Sequence, residues 1–121
     1  MELRQATSAE LIARNCATFS AWGAKLSLEQ YLTRERILRD QPFSRERMRT
    51  WVLADGHNVL ASCESYRMDT YVRSDDGTQP GHAEAAASIF VEGERRGQGL
   101  ATGLVDRLAT RIKAEGAMCL V

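Results

Sequence analysis

The sequence predicts one α+β (α/β) domain with a mixed sheet, whose elements follow the order β-α-α-β-β-β-α-β. Three observations support this fold class. Two capping boxes begin helices in the first third of the chain, a run of strand composition folds back on itself in the middle, and a strand–helix–strand unit follows. A chain of 121 residues is long enough for one hydrophobic core.

The N-terminal part is predicted to form the first strand and two helices. Residues 2–6 are the strand, and the capping box at 7–10 begins a helix that ends at Gly23. A second box at 27–30 begins a helix that stops before Pro42, because the residue before a proline avoids the helical region. The apolar spacing predicts two buried faces: Leu11, Ile12, Cys16 and Phe19 in the first helix, and Leu28, Tyr31, Leu32 and Leu38 in the second.

The C-terminal part is predicted to form a hairpin and a parallel unit. Residues 50–68 have strand composition on both sides of a turn, and the polar, turn-rich stretch 74–83 is expected to be an exposed loop. A strand at 85–91, a helix at 99–115 and a short strand at 117–121 complete the chain. Because a helix connects them, the last two strands should run parallel.

Composition argues against several classes of protein. The 16 basic and 16 acidic side chains cancel, so the sequence predicts no nucleic-acid and no membrane partner. Cys16, Cys63 and Cys119 are far apart and show no metal-binding spacing, so we expect free thiols in a reducing compartment and no metal site. No run approaches the ~20 apolar residues of a membrane span, and we therefore predict a cytoplasmic protein.

The most informative segment is the run Val91-Glu-Gly-Glu-Arg-Arg-Gly-Gln-Gly-Leu-Ala101 between the predicted strand and helix. Gly97 and Gly99 allow the backbone to bend sharply and to approach a ligand closely. The first amides of the following helix have no intrahelical partner, and the helix dipole adds positive potential at the same end. The turn therefore has the properties of a phosphate or pyrophosphate site, with Arg95 and Arg96 at its rim.

Two common phosphate-binding motifs do not fit this run. A Walker A motif requires Lys-Ser or Lys-Thr after its glycines, and neither pair follows here. The dinucleotide fingerprint requires the spacing G-x-G-x-x-G, whereas these glycines fall at 97, 99 and 103. An ordinary glycine-rich turn without a ligand, or a nucleotide-binding domain of another kind, remains an alternative.

The run instead resembles the signature of the GNAT family of acetyltransferases, [RQ]-x-x-G-x-[GA], which reads here Arg-Gly-Gln-Gly-Leu-Ala over residues 96–101. The order of elements, with two helices and a hairpin before the signature, is also similar to the GNAT fold. The segment from Trp22 to Tyr66 is in addition similar to fungal lysine N6-acetyltransferases. The resemblance covers the whole chain at the level of elements and is closest at about 88–112.

The resemblance implies acetyl-CoA as the cofactor and a primary amine, on a small molecule or a lysine-like acceptor, as its partner. In the family, the strand before the signature pairs with the pantetheine arm, and amides of the signature hold the pyrophosphate. Carried onto this sequence, the pantetheine-binding residues are Phe90 and Val91. The pyrophosphate-binding residues are Arg96, Gly97, Gln98, Gly99, Leu100 and Ala101.

The resemblance also implies direct attack of the amine on the thioester, which requires a base because a lysine-type amine has a pKa of about 10.4. Glu64 is our candidate, since a carboxylate in the middle of a strand is out of place unless it faces a cleft. The alternative is that Glu64 faces solvent. Glu84 and Glu92 flank the cofactor strand and are weaker candidates, and His82 is at most a proton relay.

GNAT domains normally continue into a further helix and two more strands, which this sequence does not contain. We therefore expect a single GNAT-like domain over 1–121 that is incomplete at its C-terminus. A second copy of the chain is one way to complete the cofactor cleft, which makes a homodimer an expectation. The alternative function is a catalytically impaired CoA-binding remnant or an interaction module.

Overall fold

The fold is built on one antiparallel sheet. The computed structural model describes all residues from 1 to 121. The strands β1 (Glu2–Gln5), β2 (Met48–Asp55), β3 (Asn58–Ser74) and β4 (Gly77–Phe90) lie side by side in the order β1-β2-β3-β4. The helices are α1 (Ser8–Trp22), α2 (Leu28–Arg39), α3 (Pro42–Arg47) and α4 (Leu100–Ala114), and a 3-10 turn spans Gly93–Arg95.

Both capping boxes form as predicted. The hydroxyl of Thr7 accepts a hydrogen bond from the amide of Glu10 at 3.3 Å, and the Glu10 carboxylate accepts from the Thr7 amide at 2.8 Å. Ser27 and Gln30 make the same reciprocal pair at the start of α2. The residue before Pro42 is extended, as expected, but the proline itself begins the unpredicted helix α3, where its missing N–H is tolerated.

The predicted buried faces of α1 and α2 are wrong. Helix α1 buries Arg14, Asn15 and Thr18, whereas Ile12 is 63% exposed. The reason is that the sheet beneath α1 carries polar side chains, so the helix is rotated to place hydrogen-bonding groups against them. In α2 only Tyr31 of the predicted set is fully buried, while Leu32 is partly buried and Leu28 and Leu38 are exposed.

The apolar core lies on the other side of the sheet, beneath α4. This helix has the predicted apolar stripe, and its residues Leu104, Leu108 and Ile112 are all at most 2% exposed. They pack against side chains of β2 and β3, namely Trp51, Leu53, Ala61 and Cys63.

Residues 74–83 are not the predicted loop. Strands β3 and β4 continue as a long hairpin, and only Asp75 and Asp76 form its turn between the paired residues Ser74 and Gly77. Residues 71–80 are all exposed. Their polar composition therefore reflects a two-stranded ribbon surrounded by water rather than an absence of strand structure.

The C-terminal segment pairs in parallel with β4, as predicted from the helical connection. The amide of Met118 donates to the carbonyl of His82 at 2.8 Å, and the amide of Val121 donates to the carbonyl of Glu84 at 2.9 Å. The predicted strand at 117–121 is shorter than expected, because only the bridge between Glu84 and Leu120 has regular strand geometry.

Candidate active site

The glycine-rich run forms a tight bend between β4 and α4. Gly97 and Gly99 have φ angles of 80° and 75°, in the left-handed region that other residues seldom adopt. Gly99 is the N-cap of α4, and no side chain caps this end of the helix. A Cβ atom at either glycine would meet nothing within 4 Å, so the space above the bend is open.

Six consecutive backbone amides of this bend, those of residues 97–102, donate to no other group of the chain. The first bond at the start of α4 runs from the amide of Gly103 to the carbonyl of Gly99. Two groups of the predicted cofactor set are already engaged: the Arg96 amide donates to Gly93 at 3.3 Å, and the Arg96 guanidinium donates to the Val91 carbonyl at 2.9 Å. The free set therefore begins at Gly97 and includes Thr102, which the sequence pattern missed.

The outer edge of β4 is covered only in part. The amides of Glu84 and Ala86 donate to the C-terminal segment, and that pairing stops at Ala86. A β-bulge follows, in which Ser88 and Ile89 together oppose one residue of β3. Successive residues of a strand direct their N–H and C=O groups to alternate edges. Because the bulge inserts one residue, the backbone groups of Ile89 and Val91 face the outer edge.

The same alternation turns the backbone of Phe90 toward β3, where its register partner is Ser62. The ring of Phe90 packs edge-on against Trp22 of α1, with 5.6 Å between ring centroids. The side chain of Phe90 thus packs against α1, and Ile89 is the residue whose backbone is presented at the edge. A bulge is a property of the paired strands, so the sequence of β4 alone gave no signal for this shift.

The bulge has an unusual conformation that a buried arginine stabilises. Ser88 has a φ angle of 53°, which costs about 1–2 kcal/mol for a residue with a Cβ. Its carbonyl accepts a hydrogen bond of 2.8 Å from Arg14, which is 7% exposed. The same guanidinium donates to the hydroxyl of Ser62 at 2.9 Å and to Glu64 at 3.3 Å. Arg14 therefore connects α1, β3 and the bulge.

Glu64 lies on the face of β3 that is turned to α1 and α2, and it is 7% exposed. Its Oε1 is 3.3 Å from Arg14 and 4.0 Å from Arg39, and its Oε2 accepts a hydrogen bond of 3.3 Å from Tyr66. Burial and the neighbouring carboxylate raise the pKa of the Tyr66 phenol, which therefore keeps its proton at neutral pH. The solvent-facing alternative for Glu64 is thereby ruled out.

A cavity of about 300 Å³ opens in front of Glu64 and extends to Ser88 at the bulge. Aromatic rings form part of its wall, and the charged groups around it include three arginines and two glutamates. These lining side chains are Trp22, Tyr31 and Tyr66, Arg14, Arg34 and Arg39, and Glu35 and Glu64. The cavity and the uncovered edge of β4 therefore meet at the same point of the sheet.

The other candidates from the sequence lie elsewhere. Glu84 is buried on the α4 side of the sheet, where its Oε1 pairs with Arg49 at 2.9 Å and its Oε2 has no partner. Glu92 is exposed beyond the end of β4. Burial raises the pKa of the Cys63 thiol to about 12, so this cysteine is not a nucleophile at neutral pH.

No group of three or more histidine, cysteine, aspartate or glutamate side chains is close enough to hold a metal ion. None of the helices combines the length and the apolar character that crossing a bilayer requires.

Comparison with known proteins identifies relatives of this chain. A lysine acetyltransferase of Yarrowia lipolytica is 34% identical over 118 residues, which are 93% of this chain and 30% of that relative. The chain thus spans about a third of the relative's length.

Two solved structures share the fold at low identity. A ribosomal-protein-alanine N-acetyltransferase of Brucella melitensis has a TM-score of 0.70 and 17% identity, and the match covers 100% of this chain and 78% of the other. A predicted acetyltransferase of Clostridium acetobutylicum, solved with acetyl-CoA, has a TM-score of 0.63 and 20% identity, with coverages of 99% and 79%. The model of the acetyltransferase (GNAT) family matches residues 12–121, and with nine-tenths of its length inside that match the chain belongs to this family.

Proposed function

We propose that this chain transfers an acetyl group from acetyl-CoA to a primary amine. The observation that carries the proposal is the set of six unpaired amides at residues 97–102, which follows the uncovered end of β4 along the chain. The cavity in front of Glu64 meets that edge at Ser88. One continuous surface therefore offers an anion site, a strand edge and a buried carboxylate.

The residues of this surface fit acetyl-CoA. The amides of Gly97 to Thr102, together with the dipole of α4, suit a pyrophosphate, and a side chain at Gly97 or Gly99 would fill the space it needs. The backbone of Ile89 and the amide of Val91 are available to an extended pantetheine arm, as in the addition of a strand to a sheet edge, whereas the Val91 carbonyl is engaged by Arg96. When bound, acetyl-CoA supplies a thioester whose acetyl group can pass to a nucleophile.

The reaction then needs a base and a donor from the chain. In the proposed mechanism, Glu64 accepts the proton that the acceptor ammonium must lose, directly or through water, before its nitrogen attacks. The amide of Ile89 faces the same edge and is the proposed donor to the negative charge that develops on the carbonyl oxygen. With acetyl-CoA bound, the C–N bond would form as the C–S bond breaks, and the second proton that the nitrogen loses would pass, directly or through water, to the released thiolate.

The charges of the cavity define the kind of acceptor it suits. Arg14, Arg34 and Arg39 outnumber Glu35 and Glu64, so a simple diamine would meet a surplus of positive charge. An acceptor that carries a carboxylate beside its amine, such as a lysine-like small molecule, would offset that surplus. The aromatic wall suits the aliphatic part of such a molecule.

The test of the cofactor site compares two substitutions with the same effect on the backbone. Gly99→Glu and Gly56→Glu both replace a glycine of positive φ, 75° and 58°, in open surroundings. Only the first places a side chain and a negative charge among the free amides. Isothermal titration should show acetyl-CoA binding to the wild type and to the Gly56 variant and none to the Gly99 variant. Equal binding by the two variants would reject the site.

One observation favours the alternative of a protein that binds CoA without turnover. Both carboxylate oxygens of Glu64 already have partners in Arg14 and Tyr66. A carboxylate with both oxygens engaged can have a purely structural role. Release of free CoA over a panel of primary amines decides between the two functions, because the alternative predicts binding with no release.

A further inference from the structure

Arg14 is the one buried arginine of α1, and its position is not explained by packing. Its side chain is 5% exposed, while the apolar Ile12 on the same helix is 63% exposed. Burying an ionised guanidinium is unfavourable unless its donors are satisfied. Helix α1 is thus rotated away from its apolar face in favour of a charged contact.

The partners of Arg14 are all at the proposed site. Its Nε donates to Ser62 at 2.9 Å, one terminal nitrogen donates to Glu64 at 3.3 Å, and the other donates to the carbonyl of Ser88 at 2.8 Å. Each of the three nitrogens of the planar guanidinium thus donates one hydrogen bond, and the three bonds point in different directions. They fix the carboxylate and the bulge relative to each other.

The contact with Ser88 is the informative one. Ser88 adopts the left-handed conformation without being glycine, and it turns its carbonyl out of the sheet toward α1. If the carbonyl of Ser88 lost its bond to Arg14, Ser88 would have no bond to hold its carbonyl in this direction. The backbone of Ile89 reaches the outer edge only because the bulge shifts the alternation of backbone groups along β4 by one residue. The side chain of Arg14 therefore controls which amide the edge presents.

We propose that Arg14 is a positioning residue that holds the bulge at Ser88 and the carboxylate of Glu64 in one fixed geometry. This inference rests on the proposed function. The three donor nitrogens of Arg14 are used by Ser62, Glu64 and Ser88, so its proposed role is indirect. Arg14 acts through the orientation of the Ile89 amide and through the distance between that amide and Glu64, so its loss should slow acetyl transfer and leave the pyrophosphate site intact.

The test compares two arginine-to-lysine substitutions. Arg14→Lys keeps the positive charge opposite Glu64 but cannot reach three partners at once. Arg4→Lys is the control, because Arg4 of β1 makes two bonds to Glu10 of α1, at 2.8 and 2.7 Å, away from the bulge. Arg14→Lys should lower kcat about 100-fold, as expected for a displacement on the order of 1 Å at the reacting groups, with Kd for acetyl-CoA unchanged. Arg4→Lys should change neither.

Hydrogen exchange supplies a readout that does not need activity. The amide of Phe90, which faces β3, should exchange faster in Arg14→Lys than in the wild type and should be unaffected in Arg4→Lys. A bulge that stays equally protected in Arg14→Lys would overturn the proposal even if the wild type proves inactive toward every amine. If the wild type is inactive toward every amine, the proposed reaction is rejected. Hydrogen exchange then still decides whether Arg14 holds the bulge.

Chemical rescue completes the test. Arg14→Ala opens a space that free guanidinium can enter, and guanidinium should restore part of the lost kcat and the protection of the Phe90 amide, whereas tetramethylammonium, which has no N–H to donate, should restore neither. Equal rescue by the two cations, or a kcat for folded Arg14→Lys equal to that of the wild type, would show that Arg14 serves stability alone.

Discussion

Glu64 and Ser65 are neighbours on β3, both buried, and they belong to opposite faces of the sheet. Ser65 accepts a hydrogen bond of 2.9 Å from the Trp51 indole on the α4 side. Glu64 faces the cavity. The two residues therefore form a matched pair for separating stability from catalysis.

Glu64→Gln should lower kcat about 10²–10⁴-fold, the range for loss of a general base. It should also lower the free energy of unfolding by about 1–3 kcal/mol, because the guanidinium of Arg14 loses its charged partner. Steady-state kinetics and urea unfolding measure the two effects. Ser65→Ala should cost a similar free energy of unfolding and leave kcat unchanged; if both variants lose only stability, Glu64 has no catalytic role.

Individual site residues differ in how far the sequence predicts them. The turn at Gly97 and Gly99 could be predicted because the signal is local: glycine is the residue that readily adopts a positive φ, and both glycines do so here. Glu64 was predicted from its position in a strand. Arg14 and Ile89 were not predicted, since their roles depend on a bulge that exists only when β3 and β4 pair.

At the scale of elements, the junction of β1 and α1 contains the group with the most strongly lowered pKa. A hydrogen bond from Arg4, and then one from the Thr7 amide, lower the pKa of the Glu10 carboxyl to about 2. Its unfolded value is about 4.3, so the folded state favours the ionised form. The resulting stability is present above the unfolded pKa and is lost as the pH falls toward the folded value.

We therefore expect the free energy of unfolding of the wild type to exceed that of Glu10→Gln by about 1–2 kcal/mol at pH 6, after allowance for the solvent around this pair. The difference should shrink between about pH 4.5 and pH 2 as the carboxylate is protonated. Urea unfolding of both proteins across this range measures it. A difference that stays constant with pH would mean that the capping hydrogen bonds, and not the charge, carry the effect.

The elements themselves were predicted where the signal is local. The two capping boxes lie within four residues each and formed as expected. The orientations of α1 and α2 were not predicted, because apolar spacing assumes an apolar surface underneath, and here that surface carries Ser62 and Glu64. The ribbon at residues 71–80 was mistaken for a loop because strands exposed on both faces have no alternation of apolar and polar residues.

Across the whole molecule, the sheet separates the apolar core, which stabilises the fold, from the side that carries the proposed active site. The α4 side holds the apolar cluster of Trp51, Leu53, Leu104, Leu108 and Ile112. The α1 and α2 side holds the buried pair of Arg14 and Glu64 and the cavity in front of it. Helix α4 belongs to both functions, since its middle packs in the core and its first turn carries the free amides.

This arrangement predicts that the core face of α4 can be weakened without loss of the cofactor site. Leu104 is 0% exposed, and Leu104→Ala should lower the free energy of unfolding by about 2–5 kcal/mol through the cavity it leaves. Acetyl-CoA at 100 times its Kd should stabilise the wild type by about 2.7 kcal/mol, and it should stabilise the variant equally because the amides of residues 97–102 are intact. Thermal unfolding with and without acetyl-CoA measures both quantities. The Tm of Leu104→Ala should start lower and rise by a similar amount, whereas that of Gly99→Glu should start lower by the equivalent of about 1–2 kcal/mol, because Gly99 has a positive φ, and should not respond. A Leu104 variant that folds but no longer responds to acetyl-CoA would mean that core packing holds the first turn of α4 in place, and that the sheet does not divide the two functions.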